Sequence, residues 1–98
     1  DTTLITKTLG MQGRALRNKT VEQVLEIESR GGGLDELYPL ISGERGKNAW
    51  KSGDVDDAPM YVGQSIGLIH NILGCQELLE TMAADAANKI ANLYEKCV

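Results

Sequence analysis

From Gln76 to Cys97 the chain carries an unbroken helical rhythm. Leu78, Leu79, Met82, Ala83, Ala86, Ile90, Leu93, Tyr94 and Cys97 recur at steps of three and four and fall on one stripe. Glu77 and Glu80 stand in the first turns and Lys96 in the last, as the helix dipole favours. Such a stripe is a packing face, and it must lie on a sheet or on another helix. The rest of the chain limits what that surface can be. There are 98 residues, 42% of them hydrophobic but only 4% aromatic, with no Phe. The core must therefore come from Leu, Ile, Val, Ala and Met. A free-standing chain of this size buries only ~60–65% of its unfolded surface. The expectation is one small domain, or one piece of a larger one.

Composition removes several classes of function. The apolar content is too high for a disordered tail. No apolar run approaches the ~20 residues a membrane span needs, so a membrane is not an expected partner. Net charge is −4 and the isoelectric point is near 4.9. That balance argues against nucleic acid, whose phosphates demand a basic excess. The charge is uneven, however. Residues 1–19 hold Lys7, Arg14, Arg17 and Lys19 against Asp1, while the remainder holds six basic and thirteen acidic residues. The basic end suits an anionic ligand or an acidic partner surface, or it is a solvated edge.

Cys75 and Cys97 both fall on or beside the last helix. Twenty-two helical residues span ~33 Å, against the ~7 Å a disulfide tolerates, so the two cannot bond within one chain. Neither has a His or a second Cys at metal-ligand spacing. No apolar leader is visible, and two unpaired thiols fit a reducing compartment, most simply the cytoplasm.

Upstream, Thr2–Thr6 reads as a short strand, and Ala15–Asn18 as extended chain or a turn. A helix is expected from about Thr20, with Thr20 and Gln23 forming a capping box and Val21, Val24, Leu25 and Glu28 on one face. Gly31-Gly32-Gly33 stops it. Asp35–Ile41 reads as a turn or two of helix made irregular by Pro39, and Ser42 as the cap of a helix over Glu44–Lys51 that ends at Gly53. A polar turn over Asp54–Pro59 leads to a three-residue strand, Met60–Val62. Leu68–Leu73 is expected to be helical and to end at Gly74.

The stretch richest in chemistry is Met60-Tyr61-Val62-Gly63-Gln64-Ser65-Ile66-Gly67-Leu68-Ile69. A strand runs into a glycine and then a helix. Gly63 permits a tight turn and a close ligand, and the first N–H groups of a following helix point there unpaired. Gln64 adds an amide that donates and accepts. The same pattern also occurs as a plain turn. Asp54, Asp56 and Asp57 lack the spacing and terminal Glu of a calcium loop and read as a solvated turn. His70 reads as exposed rather than as a catalytic base.

Several blocks together resemble the C-terminal part of the FMN-dependent nitronate monooxygenase family. That family includes the 2-nitropropane dioxygenases and the flavin-type enoyl-acyl-carrier-protein reductases. The blocks are Asp1-Thr2-Thr3, Arg14-Ala15-Leu16-Arg17-Asn18, Gly53-Asp54-Val55-Asp56 and Val62-Gly63-Gln64 followed by Gly67-Leu68-Ile69. Their order and spacing match over nearly the whole chain.

The resemblance implies an α/β fold: the C-terminal segment of a (β/α)8 TIM-barrel flavoprotein with a small inserted second domain, the segment itself mostly helical with short strands. Residues 1–56 would be the small, substrate-side domain. Residues 57–98 would return to the barrel, supply its last strand end and close with a helix on the outside. Barrel enzymes place chemistry at strand ends. By resemblance, Tyr61, Gly63 and Gln64 would lie near the FMN or the substrate, and Arg14 would hold anionic groups of a substrate or of NAD(P)H. Most of the FMN site and the catalytic His would lie in the earlier barrel, so no catalytic residue is expected in this segment. The partners implied are a small-molecule substrate and the remainder of the barrel, with a homo-oligomer left open. Within the family, nitronate oxidation and enoyl reduction are not separated by these residues. A reading from another class is a non-enzymatic helical module whose last stripe pairs with a partner or a second copy.

Overall fold

In the computed structural model, which describes residues 1–98, β1 (Thr2–Ile5) and β2 (Gly13–Leu16) form an antiparallel pair. The register sets Thr2 against Leu16 and Ile5 against Gly13. A short 3-10 turn, Lys7–Leu9, joins the strands. It is flanked by two left-handed residues, Thr6 at φ 59 and Gly10 at φ 73. The single hydroxyl hydrogen of Thr6 is shared between the carbonyls of Ile5 and Met11, which helps hold a non-glycine residue in this unfavoured region. On the other edge of β2 lies the extended segment Met60–Val62. Leu16 N donates to Met60 O and Val62 N to Arg14 O, each at 2.9 Å, with Ala15 opposite Tyr61.

Three helices follow β2. α1 (Lys19–Ser29) buries Thr20, Val21 and Val24. Its cap is Asn18, whose side-chain oxygen accepts from Val21 N at 2.9 Å. The cap therefore stands two residues before the expected Thr20, and it is a single bond rather than a capping box, since Val21 occupies the third helical position. Thr20 lies inside the helix, and its hydroxyl donates to Asp56 O at 2.7 Å. The chain leaves α1 through Gly31, at φ 77, a conformation that suits glycine. α2 (Leu34–Ile41) buries Leu37 and contains Pro39. The proline forfeits only the bond its N–H would have made to the Asp35 carbonyl, and the helix ends two residues later. α3 (Gly43–Ser52) is capped as expected by Ser42, whose Oγ accepts from Arg45 N at 3.3 Å.

The core is small: Ile5, Ala15, Val21, Val24 and Leu37, with Leu9, Leu25, Ile27, Leu40 and Ile41 packed around it. The chain divides into two compact units, Asp1–Leu68 and Ile69–Val98. In the first, the sequence reading of a mostly helical α/β segment with short strands holds. The second consists of an irregular lead and α4 (Cys75–Cys97). The expected helix over Leu68–Leu73 does not form. A 3-10 turn, Gln64–Leu68, stands before it and the chain from Ile69 to Gly74 is irregular. Gly67 and Gly74 bracket too few residues to repay helix nucleation, and Leu68, Ile69 and Ile72 are all exposed, so no packing compensates. α4 has no buried residue, and Cys75 and Cys97 at its ends are free and exposed. No helix of the chain is long and apolar enough to cross a membrane.

The loop before Met60 is fastened by side chains. Asn18 Nδ2 donates to Val55 O at 2.8 Å and to Ala58 O at 2.9 Å. Asp56 Oδ1 accepts from Lys19 N, and Arg45 reaches the Asp57 carbonyl and carboxylate. Asn18→Ala removes one cap and two clamping bonds. It is expected to cost about 2–4 kcal/mol, from ~1 kcal/mol for a cap and ~1 for each bond. Asn18→Asp keeps the cap acceptor, loses both donors and sets a carboxylate against two carbonyls. Urea unfolding followed by circular dichroism should place both variants well below the parent. A midpoint unchanged in either would refute the clamp.

Candidate functional site

The strand pairing decides which expected site residues meet. Along β2, Arg14 and Leu16 point to one face of the sheet, and Gly13 and Ala15 to the other. Tyr61 lies opposite Ala15 and shares its face. Its ring covers Gly13: a Cβ built there would lie 2.7 Å from Tyr61 Cε1. Glycine at 13 is thus required by close approach rather than by backbone torsion. Tyr61 remains 57% exposed, yet partial desolvation pushes its phenol above the usual tyrosine value.

Arg14 and Tyr61 are therefore neighbours in the sheet but face opposite ways. Arg14 is half-buried, and its Nη1 donates to Thr2 Oγ1 at 2.9 Å across the strand pair. The other expected anion-holding residues are already occupied. Arg17 pairs with Asp1 at 3.7 Å and Glu22 at 3.4 Å, and Lys19 with Asp56 at 3.8 Å. Arg14 alone among these three has no carboxylate partner.

Gly63 and Gln64 follow directly from the Met60–Val62 segment, and both are exposed. Here the geometry differs from expectation. Gly63 has no left-handed torsion, and only the Ser65 hydroxyl comes within 4 Å of where its Cβ would stand. The turn after it is five residues of 3-10 helix, so the anticipated helix N-terminus with its row of free N–H groups is not built there. What remains is the Gln64 carboxamide with its donor and acceptor atoms. His70 is exposed. The acidic trio is used internally: Asp54 Oδ1 accepts from Asp56 N, Asp56 binds Lys19, and Asp57 binds Arg45.

Sequence reasoning missed a second feature. A cleft of about 480 Å³ opens beside the Met60–Val62 segment, lined by Leu16, Trp50, Val55 and the run Pro59–Val62, which includes Tyr61. Trp50, on α3, is 81% exposed. It is the only tryptophan in the chain and sits in a helix otherwise rich in polar and charged residues. That mismatch was the available signal. No protein-family model matches the chain.

Gly13→Ala forces the Tyr61 ring aside and should cost about 1–3 kcal/mol, the usual range for overpacking. The same change made in a Tyr61→Ala background should cost little, because the clash is gone. In alkaline titration at 295 nm, the component removed by Tyr61→Phe should have a midpoint above the usual tyrosine value, and Gly13→Ala should lower it. Equal destabilisation by Gly13→Ala in both backgrounds would contradict the close approach.

Proposed function

We propose that this chain is part of an FMN-dependent oxidoreductase of the nitronate monooxygenase type, forming the small substrate-side domain and the return to a (β/α)8 barrel. One observation carries the reading. The blocks that resemble the family lie far apart in sequence, yet Arg14–Asn18 is hydrogen-bonded to the stretch Val55–Val62 at four points, through Arg14, Leu16 and Asn18. That pairing leaves Tyr61, Gly63 and Gln64 exposed in succession where the strand segment ends. A set of residues with a shared task at a strand end is arranged in this way.

The donor set suits the edge of a flavin ring. A carboxamide meets both the N–H and the carbonyl groups of such an edge, and the Tyr61 phenol, protonated at neutral pH like any tyrosine, is a donor. Bound FMN would supply reversible two-electron transfer between NAD(P)H or the substrate and an acceptor. Gln64 would orient the ring edge, Tyr61 would cover it, and Arg14 would attract anionic groups. The phosphate of the cofactor would be held by residues of the barrel outside this segment, as would the catalytic base. Oxidation of nitronates is the leading activity, and flavin-dependent reduction of an enoyl thioester is the alternative. A cytoplasmic site of action fits the two free thiols.

One observation favours a reading of another class. α4 buries none of its residues, so its apolar stripe is free for a partner helix or a second copy. A single set of measurements separates the two. The whole protein should purify yellow with bound FMN. Gln64→Ala should weaken flavin affinity about three- to tenfold, the worth of one or two amide hydrogen bonds. A colourless whole protein, or a 98-residue chain that dimerises through α4 and shows no difference on Gln64→Ala, would favour the interaction module.

A further inference from the structure

We propose that α4 pairs with α4 of a second copy of this chain, antiparallel about a two-fold axis at Ala86, so that Cys75 of each copy lies against the partner's Cys97. The inference rests on the reading of α4 as an interaction surface and deepens it by fixing the occupant, its direction and its register.

The centre line of the stripe reads the same in both directions. It passes through Cys75, Leu79, Met82, Ala86, Ile90, Leu93 and Cys97, at steps of four, three, four, four, three and four. About Ala86, Cys75 mirrors Cys97, Leu79 mirrors Leu93 and Met82 mirrors Ile90. A two-fold interface brings residue i of one copy to residue j of the other and j to i. An antiparallel pair centred on Ala86 therefore sets each residue against its mirror image. The pattern repeats every eleven residues, or about 3.67 per turn. That is close to the ~3.6 of an undistorted helix, so both helices run nearly straight and the matched ends stay together. Small Ala86 at the crossing lets the axes approach to about 8–10 Å, and subtracting two Cα radii of ~2.3 Å leaves facing Cα atoms within disulfide reach.

Charge selects the direction. The half of α4 before Ala86 holds Glu77, Glu80 and Asp85, and the half after it holds Lys89, Glu95 and Lys96. Antiparallel pairing sets the acidic half against the half with the basic excess. Asp85 and Lys89 stand on the same flank of the stripe, both exposed, and neither has an ion pair within the chain. In the antiparallel pair that flank meets itself, and Lys89 falls about 3 Å along the axis from the partner's Asp85. Two ion pairs then close the seam. A parallel pair brings opposite flanks together and sets Lys89 against the partner's Ala83 and Tyr94 instead. Between the cysteines, Leu79, Met82, Ile90 and Leu93 are all exposed in the single chain and would be covered. A seam about 34 Å long and a helix about 10–12 Å wide give on the order of 400 Å² covered per copy. That is below the ~800 Å² per partner of a standard interface, so the dimer is weak and reversible.

In reductant, sedimentation equilibrium of the 98-residue chain should show monomer and dimer exchanging with a Kd on the order of 10–100 µM. Ile90→Glu should weaken the dimer about tenfold or more. Asp85→Lys and Lys89→Asp should each weaken it about three- to tenfold, and the double exchange should restore it. Circular dichroism of each variant confirms that the helix persists. Glutathione disulfide then reads the register: two thiols give two electrons and two protons to it, a Cys75–Cys97 bond forms between copies, and two glutathione thiols leave. Cys75→Ser mixed with Cys97→Ser should cross-link, and neither variant alone should do so efficiently. A chain that stays monomeric at about 200 µM, a single-cysteine variant that cross-links to itself as readily as to the other, or a double exchange that restores nothing would overturn the proposal. Self-cross-linking would leave α4 an interaction surface with the opposite direction. A monomer whose whole protein binds FMN would remove the interaction reading as well.

Discussion

The carboxamide of Asn18 holds the first unit together. Its oxygen caps α1, and its nitrogen grips the carbonyls of Val55 and Ala58. One planar group thus fixes where a helix starts and where a loop nearly forty residues later must run. No other side chain does both jobs. Serine or threonine would cap without two donors, and aspartate would cap without any. The surrounding bonds from Thr20, Lys19 and Arg45 to Asp56 and Asp57 close the same loop. Because the loop is held, Met60–Val62 is delivered to the free edge of β2. The position of Tyr61 and Gln64 is therefore a consequence of a cap, not of local propensity around Gly63.

The sheet that results is unequal in its two faces. One face contributes Ile5 and Ala15 to the core under α1 and α2 and carries Tyr61 over Gly13. The other carries Leu4, Leu16, Met60 and Val62 together with Thr2 and Arg14. A five-residue core in a unit of this size leaves little margin. The polar ties of the 54–58 loop offset that shortage. They also explain the charge map. The basic excess of residues 1–19 is largely drawn into ion pairs with Asp1, Glu22 and Asp56, so the positive field visible in the sequence shrinks to Arg14 and Lys7.

Local signals were legible in the sequence, and long-range ones were not. The strand at Thr2, the stop at the glycine triplet, the Ser42 cap and the terminal helix each rest on residues within a few positions of one another. The capping box at Thr20 was misplaced because Asn18 and Thr20 both offer a side-chain oxygen, and the choice was made by Asp56, which accepts the Thr20 hydroxyl from afar. Leu68–Leu73 carries helical periodicity, but periodicity predicts a helix only where something covers the apolar side. At the site, the residue types at 61, 63 and 64 were legible while their geometry was not. Gly63 suggested a torsional role, whereas the glycine that geometry requires is Gly13, fifty residues away under an aromatic ring. Trp50 escaped notice because pattern reading treats an isolated aromatic on a polar helix as incidental, though that isolation marks it as exposed by design of the surface rather than of the core.

α4 poses the remaining physical question. It has twenty-three residues, about 34 Å of helix, and no burial. Alanine-rich composition, a Gln76–Glu80 side-chain bond at 2.9 Å, Glu77 in the first turn and Lys96 in the last all favour it. These terms are each worth a few tenths of a kcal/mol to about one, enough to make a helix of this length partly stable in water but not to select its apolar stripe. Leu78, Leu79, Met82, Ile90, Leu93 and Tyr94 do nothing for an isolated helix that polar residues would not do better. Their regular spacing has a purpose only against a matching surface.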